Sequence, residues 1–253
     1  MQSADGTAIA FERAGSGPAI VMIDAAMGYS GFRAMEPLPD WLASEFTVFT
    51  YDRRGRGDSS DTPPYAVERE VEDLAALITE TGGSAFVYGF SSGALLALQA
   101  AARGIAITKL ALFEPPIGTD DDQTAHDPSV AELNALVAAG RRWDAVERFQ
   151  TSIGVPAEML AEMEPESRHA LAAVAHTIVY DYAVSEATTL ETVAAVSQPT
   201  LVIDSEGSTG DLTGWAKAVN DALPNGTHRS LAGEWHGVPP EDLARALIQF
   251  FHG

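Results

Sequence analysis

The chain has 253 residues, 46% of them apolar and 20% charged, with no cysteine and a formal charge of −21 from 15 Lys and Arg against 36 Asp and Glu. That size suits one large globular domain or a core with an inserted subdomain, and the charge repels phosphate backbones and anionic headgroups, so neither nucleic acid nor a membrane surface is an expected partner. The lack of cysteine removes disulfides, thiolate metal sites and a Cys nucleophile, and fits a reducing compartment. No apolar run approaches about 18 residues, and no basic stretch leads into an apolar one after Met1, so a soluble cytoplasmic protein is expected. A neutral or apolar small molecule is the expected substrate, and a homodimer is allowed.

Short apolar runs bounded by turns alternate with longer helix-period stretches, the pattern of βαβ units in a largely parallel sheet of an α/β protein. Thr7 to Arg13 alternates as an early strand, and Ala19 to Asp24 reads as a central strand buried on both faces. A Gly-containing loop, Ala25 to Gly31, follows. Pro37 to Glu45 predicts a short helix and Phe46 to Tyr51 the next strand. From Arg69 to Thr81, Val71, Leu74, Leu77 and Ile78 make one apolar helical stripe that stops at Gly82-Gly83. Ala85 to Tyr88 is a strand, Ala94 to Ala102 a strong helix former, and Lys109 to Phe113 a further strand halted by Glu114-Pro115-Pro116.

Helical patterning then dominates, at Val130 to Ala139, Trp143 to Thr151 and Ser167 to Tyr180. Residues 116–196 are therefore expected to form an inserted helical cap on a core made of residues 1–115 and 197–253. The sheet resumes at Pro199 to Asp204, continues past a helix near Leu212 to Leu223, and ends in a strand at Thr227 to Leu231. A helix over Pro239 to Phe251 closes the chain.

Gly89-Phe90-Ser91-Ser92-Gly93 is G-x-S-x-G between a predicted strand and a predicted helix, the context that separates a nucleophile elbow from a Gly/Ser-rich turn that merely starts a helix. A sharp turn there lifts Ser91 above the sheet, and the glycines leave room for strand and helix to approach. The Ser92 N–H, at the helix N-terminus, is placed to bind a developing oxyanion.

With these features the chain resembles the α/β-hydrolase family from Thr7 to Phe251. Tyr51-Asp52-Arg53-Arg54-Gly55-Arg56-Gly57-Asp58-Ser59 is similar to the family's D-x-R-G-x-G-x-S segment, read as a structural turn beside the site. That segment, Leu112 to Pro116, and Ala175-His176-Thr177 with Tyr180-Asp181 together resemble a bacterial subgroup of mostly unassigned substrate. The resemblance implies a fold with a mostly parallel central sheet flanked by helices and bearing the cap, and a serine hydrolase that needs neither metal nor organic cofactor.

A serine hydroxyl needs a base, and the chain offers His126, His169, His176, His228, His236 and His252. The resemblance implies His236, between the last strand and the closing helix. His252 is a tail residue, and His126 and His228 are expected at the surface. His176 either faces the pocket or packs a helix. The acid departs from the common family pattern, because Asp204-Ser205-Glu206-Gly207-Ser208 puts Ser208 where an Asp usually stands. Glu114, at the end of the preceding strand, keeps the order Ser91, Glu114, His236; the alternative makes it a hinge residue that bonds backbone at the cap entrance, with Glu206 or Asp211 as the acid.

The oxyanion loop departs too, reading Asp24-Ala25-Ala26-Met27, with the Ala26 N–H as second donor and Met27 as its neighbouring alternative. Asp24 either braces the loop or handles protons. Substrate contacts are expected from Asp24, Met27, His176 and Tyr180. Trp143, Phe149, Met159, Leu160, Met163, Val174 and Ile178 supply further apolar lining or ordinary packing. Arg33, Arg53 and Arg54 either offer local positive charge to a carboxylate or, the more common use in so acidic a chain, sit in exposed salt bridges. The resemblance thus implies hydrolysis of a carboxylic ester or lactone. The rival readings are lyase, cyclase or C–C-cleaving chemistry that uses His236 and a carboxylate, and a ligand-binding member without turnover.

Overall fold

A computed structural model describes residues 1–117 and 128–253; His126 lies outside them. Among the described residues seven strands form one sheet: β1 Phe11–Gly15, β2 Ala19–Ile23, β3 Thr47–Tyr51, β4 Ala85–Phe90, β5 Ile107–Phe113, β6 Thr200–Ser205 and β7 Gly226–Leu231. Their order is β1-β3-β2-β4-β5-β6-β7, parallel throughout except that β1 runs antiparallel to β3.

The central strands are apolar because both of their faces are covered. Val21 and Ile23 of β2 and Leu110 and Leu112 of β5 point into one cluster, with helices α2 (Val67–Glu80), α3 (Ser92–Ala102) and α10 (Gly210–Ala222). Their neighbours Ile20, Met22, Ala111 and Phe113 point the other way, toward α1 (Leu38–Leu42) and α11 (Pro240–His252). The edge strands β1 and β7 are largely exposed and carry Glu12, Arg13 and Arg229, charges that discourage pairing with another sheet edge.

Between β5 and β6 the described chain builds α4 (Val130–Ala138), α5 (Arg142–Ser152), α6 (Ala157–Glu162), α7 (Pro165–Ala173), a 3-10 turn at Ala175–Thr177, α8 (Ile178–Ala187) and α9 (Leu190–Ala194). Leu133, Val146, Phe149, Leu171, Val174 and Ile178 form a third cluster that takes in Met27 from the loop after β2. Val184, Val193 and Val196 belong instead to the cluster around α2 and α3. No helix of the described residues is long and apolar enough to cross a membrane.

Two predicted elements differ from the observed ones. The early strand starts at Phe11, because Ala8 and Ala10 bond to Ser59, Ser60 and Asp52 of the loop after β3 and not to a sheet neighbour. The helix expected over Ser167 to Tyr180 breaks at Val174 (φ −103°, ψ 9°), where Thr177 donates its hydroxyl to the Val174 carbonyl at 2.8 Å and the axis restarts as α8.

Candidate active site

In a parallel sheet every strand feeds its loop to the same carboxyl edge, and Asp24, Ser91, Glu114 and the loop carrying His236 all follow strand ends there. Ser91 joins β4 to α3 with φ 53° and ψ −119°, a backbone conformation that costs a non-glycine residue about 1–3 kcal/mol. Its N–H continues the sheet ladder to the Phe113 carbonyl at 2.9 Å. Although Ser91 occupies the N-cap position of α3, its hydroxyl makes no capping bond, which leaves Oγ for other chemistry.

The flanking glycines have a steric reason. A Cβ on Gly93 would lie 2.3 Å from the Ile23 carbonyl oxygen, and one on Gly89 would lie 2.6 Å from the Ala94 Cα. Only glycine lets α3 approach both β4 and the end of β2 this closely.

Glu114 follows β5 with φ 44°, fully buried, and its N–H bonds the Ile203 carbonyl at 2.9 Å. One carboxylate oxygen accepts from the Ser205 N–H at 2.8 Å; the other lies 2.5 Å from His236 Nδ1. A carboxylate only accepts, so Nδ1 carries the proton and Nε2 is the free ring nitrogen in the neutral imidazole. His236 (φ 53°) is half-buried beside Phe90, ring centroids 4.9 Å apart. Glu206 and Asp211 are exposed.

Ser208, at the position where the family usually carries Asp, has a different use here. Its hydroxyl accepts from the His236 backbone N–H at 2.9 Å, while Ser205 Oγ donates to the Glu234 carbonyl at 2.6 Å. Two serines thus hold the histidine loop by its backbone. Sequence reasoning missed both, because nothing in residue type marks a hydroxyl that bonds backbone 28 or 29 positions away.

After β2, both Asp24 carboxylate oxygens accept backbone N–H groups, from Ala25 at 2.8 Å and Ala34 at 3.2 Å. Burial pushes its carboxyl up to about 6 in spite of those bonds and the Arg56 charge nearby. The Ala25 carbonyl closes a turn on the Gly28 N–H at 3.1 Å, with Met27 at φ 62° and its side chain buried in the third cluster. Asp24 therefore braces this loop, and Met27 ties it to the helices above.

The arginines after β3 correct the expectation of exposed salt bridges. Arg53 and Arg54 are buried, as is Arg56, because carboxylates distant in sequence converge on them. Arg53 makes two bonds to Glu70 (2.6 and 2.8 Å), one to Asp181 (2.7 Å) and one to Ser92 Oγ (3.3 Å). Arg54 grips Asp73 with two bonds and Asp5 with a third. Arg56 bonds Asp181 at 2.7 Å and the Ala25 carbonyl at 3.1 Å. Burial alone would raise Asp181, but the Arg56 and Arg53 guanidinium groups outweigh it and hold the carboxyl below its ordinary range. Arg33 pairs with Glu12 and Glu36 nearer the surface.

Tyr180 donates to Asp61 at 2.7 Å and stacks on Tyr65 with centroids 3.9 Å apart. His176 Nε2 lies 3.9 Å from the same Asp61 oxygen, and burial, with Arg142 next, lowers the pKa of its imidazole. A cavity of about 440 Å³ opens between the loops after β2 and β3 and the end of α7, walled by Tyr29, Gly31, Gly55, Gly57 and Val174. A smaller one of about 80 Å³ lies against His236 with Met35, Phe90 and Phe113. Leu160, Ile178 and Phe149 are buried, and Met159 is exposed. His228 is exposed and pairs with Asp204 at 2.8 Å; His169 and His252 are exposed.

The family model of the alpha/beta hydrolase family matches residues 15–249, so the chain belongs to that family. Among solved structures it is similar to an alpha/beta hydrolase from Sphaerobacter thermophilus DSM 20745, 47% identical over 99% of each chain with a TM-score of 0.91. An enol-lactonase from Burkholderia xenovorans LB400 shares the fold, with a TM-score of 0.70 and 20% identity over 98% of each chain. An uncharacterized hydrolase of Bacillus subtilis (strain 168), YraK, is 34% identical over 98 residues, covering 37% of this chain and 35% of that protein. The match spans about a third of that curated relative's length.

Proposed function

We propose that this chain is a serine hydrolase that cleaves a carboxylic ester or lactone of a mostly apolar small molecule through an acyl-enzyme on Ser91. The observation that carries the reading is the bond between the buried Glu114 carboxylate and His236 Nδ1, which leaves Nε2 as the basic nitrogen. His236 Nε2 takes the Ser91 proton as Oγ attacks the carbonyl carbon, and Glu114 fixes the tautomer and stabilises the imidazolium that forms. The tetrahedral oxygen is bound by the Ser92 and Ala26 N–H groups.

Collapse of that intermediate expels the alkoxide, which His236 protonates. His236 then activates water, which attacks the acyl-enzyme, releases the acid and returns Ser91. The helices α4 to α9 act as a cap over this edge of the sheet. The formal charge of −21 disfavours anionic substrates, and the enol-lactonase name of one fold relative supports the lactone side of the proposal.

The test is labelling with a fluorophosphonate alongside hydrolysis of p-nitrophenyl butyrate. The wild type is expected to be labelled on the Ser91 peptide and to turn over the ester, and Ser91→Ala to lose both. Turnover that survives in Ser91→Ala would contradict the acyl-enzyme and favour proton-transfer chemistry by His236 with a carboxylate.

A further inference from the structure

We propose that Arg56 is a positioning residue for the oxyanion-binding groups, fixing the Ala25–Ala26 peptide so that the Ala26 N–H faces the reacting oxygen, with Asp181 as its anchor. The inference rests on the acyl-enzyme reading above and names what holds its electrostatic machinery in place. Arg56 Nη1 donates to the Ala25 carbonyl at 3.1 Å. That carbonyl and the Ala26 N–H belong to one planar peptide unit and point in opposite directions, so pinning the oxygen fixes the aim of the hydrogen. A carbonyl held by a guanidinium also polarises its own peptide and makes the N–H a stronger donor.

The same carbonyl accepts the Gly28 N–H, and Asp24 takes the Ala25 N–H, so this peptide is held from both neighbours. The other donor is reached through the same anchor. Asp181 Oδ2 binds Arg56 and Asp181 Oδ1 binds Arg53, each at 2.7 Å, and Arg53 Nη1 touches Ser92 Oγ at 3.3 Å. One carboxylate from α8 thereby ties together two guanidinium groups: Arg56 bonds the carbonyl of the peptide whose N–H is one proposed donor, and Arg53 bonds the side chain of Ser92, whose N–H is the other. A buried ion pair that served folding alone could be replaced by apolar side chains at little cost; Arg56 adds to its ion pair a second, charged donor on a carbonyl that the Gly28 N–H already bonds. Lysine would bring the charge without the planar fork that spans Ala25 and Asp181 together.

Arg56→Gln is the informative variant, because Asp181 keeps its pairing with Arg53. With p-nitrophenyl butyrate, kcat is expected to fall about 10- to 100-fold, with KM changed less than about twofold. Binding of an alkyl trifluoromethyl ketone, which forms a tetrahedral oxyanion on serine, is expected to weaken by the same factor as kcat/KM. The corresponding alcohol, which forms no adduct, is expected to bind as before. Arg56→Lys, which keeps the charge opposite Asp181, is expected to retain the urea midpoint and show an intermediate loss of kcat, and it carries the same comparison if Arg56→Gln does not fold.

Folded variants whose kcat and ketone affinity stay within about twofold of wild type would overturn the positioning role and leave the serine mechanism standing. A loss confined to KM would overturn it equally. A wild type that neither labels at Ser91 nor forms the ketone adduct would remove the mechanism itself, a result read without any variant.

Discussion

The non-glycine residues with positive φ among the described residues are Met27, Ser91, Glu114 and His236. Three are the members of the proposed triad and the fourth shapes the proposed oxyanion loop, so backbone strain collects where the chemistry is proposed. Glu114→Gln tests the pair most sharply. If the amide oxygen keeps the Ser205 N–H, the amide NH₂ faces His236 Nδ1 and forces the proton onto Nε2, the wrong tautomer for a base. We expect kcat to fall by about 10²–10⁴ in steady-state ester hydrolysis, with a urea midpoint near that of wild type; kcat within a few-fold of wild type would contradict the role. The elbow was legible in the sequence because its glycines are demanded sterically. The use of Ser208 was not, since its bond goes to backbone, nor was the burial of Arg53 and Arg54, since net charge says nothing about which carboxylates converge.

Asp24 gives a pH signature at the same scale. Its folded pKa of about 6 stands above the ordinary value of 3.8, so between those pH values the native state holds a proton that the unfolded chain has released. Stability from this group is present below the lower value and is lost as pH rises through the upper one, about 3 kcal/mol in all. Asp24→Asn cannot ionise and keeps one of the two backbone bonds. Its urea midpoint relative to wild type is therefore expected to rise steadily from pH 4 to pH 7, and parallel curves for the two proteins would contradict the assignment.

Among the secondary elements, the junction of α3 with β2 and β4 positions the nucleophile. Gly93→Ala drives a methyl into the Ile23 and Asp24 carbonyls, at 2.3 and 2.6 Å before relaxation. It is expected to cost about 2–4 kcal/mol in urea unfolding and to slow labelling of Ser91, because the helix must retreat from the strand end. Buried strands and the striped helices α2 and α11 were legible because burial on both faces, or on one, writes itself into periodicity. The 6-residue α6 and 5-residue α9 were not: too short to carry a stripe, they also lie among other helices, whereas the equally short α1 was marked by the strand that follows it. The break at Val174 escaped as well, because helical spacing continues on both sides of it while the backbone turns.

For the molecule as a whole, parallel strand order gathers loops from positions 24, 91, 114 and 236 onto one edge, and buried carboxylates from α2 and α8 lock the loop after β3 beneath them. Architecture was legible from the alternation of elements; the ionic lattice was not, because it joins residues up to 128 positions apart. The most direct test of the account is intact-mass analysis of wild type quenched during turnover of p-nitrophenyl butyrate. A transient butyryl adduct that maps to Ser91 is expected, formed with a burst of nitrophenolate equal to the active protein. Steady turnover with no adduct at Ser91, and with rate retained in Ser91→Ala, would contradict it.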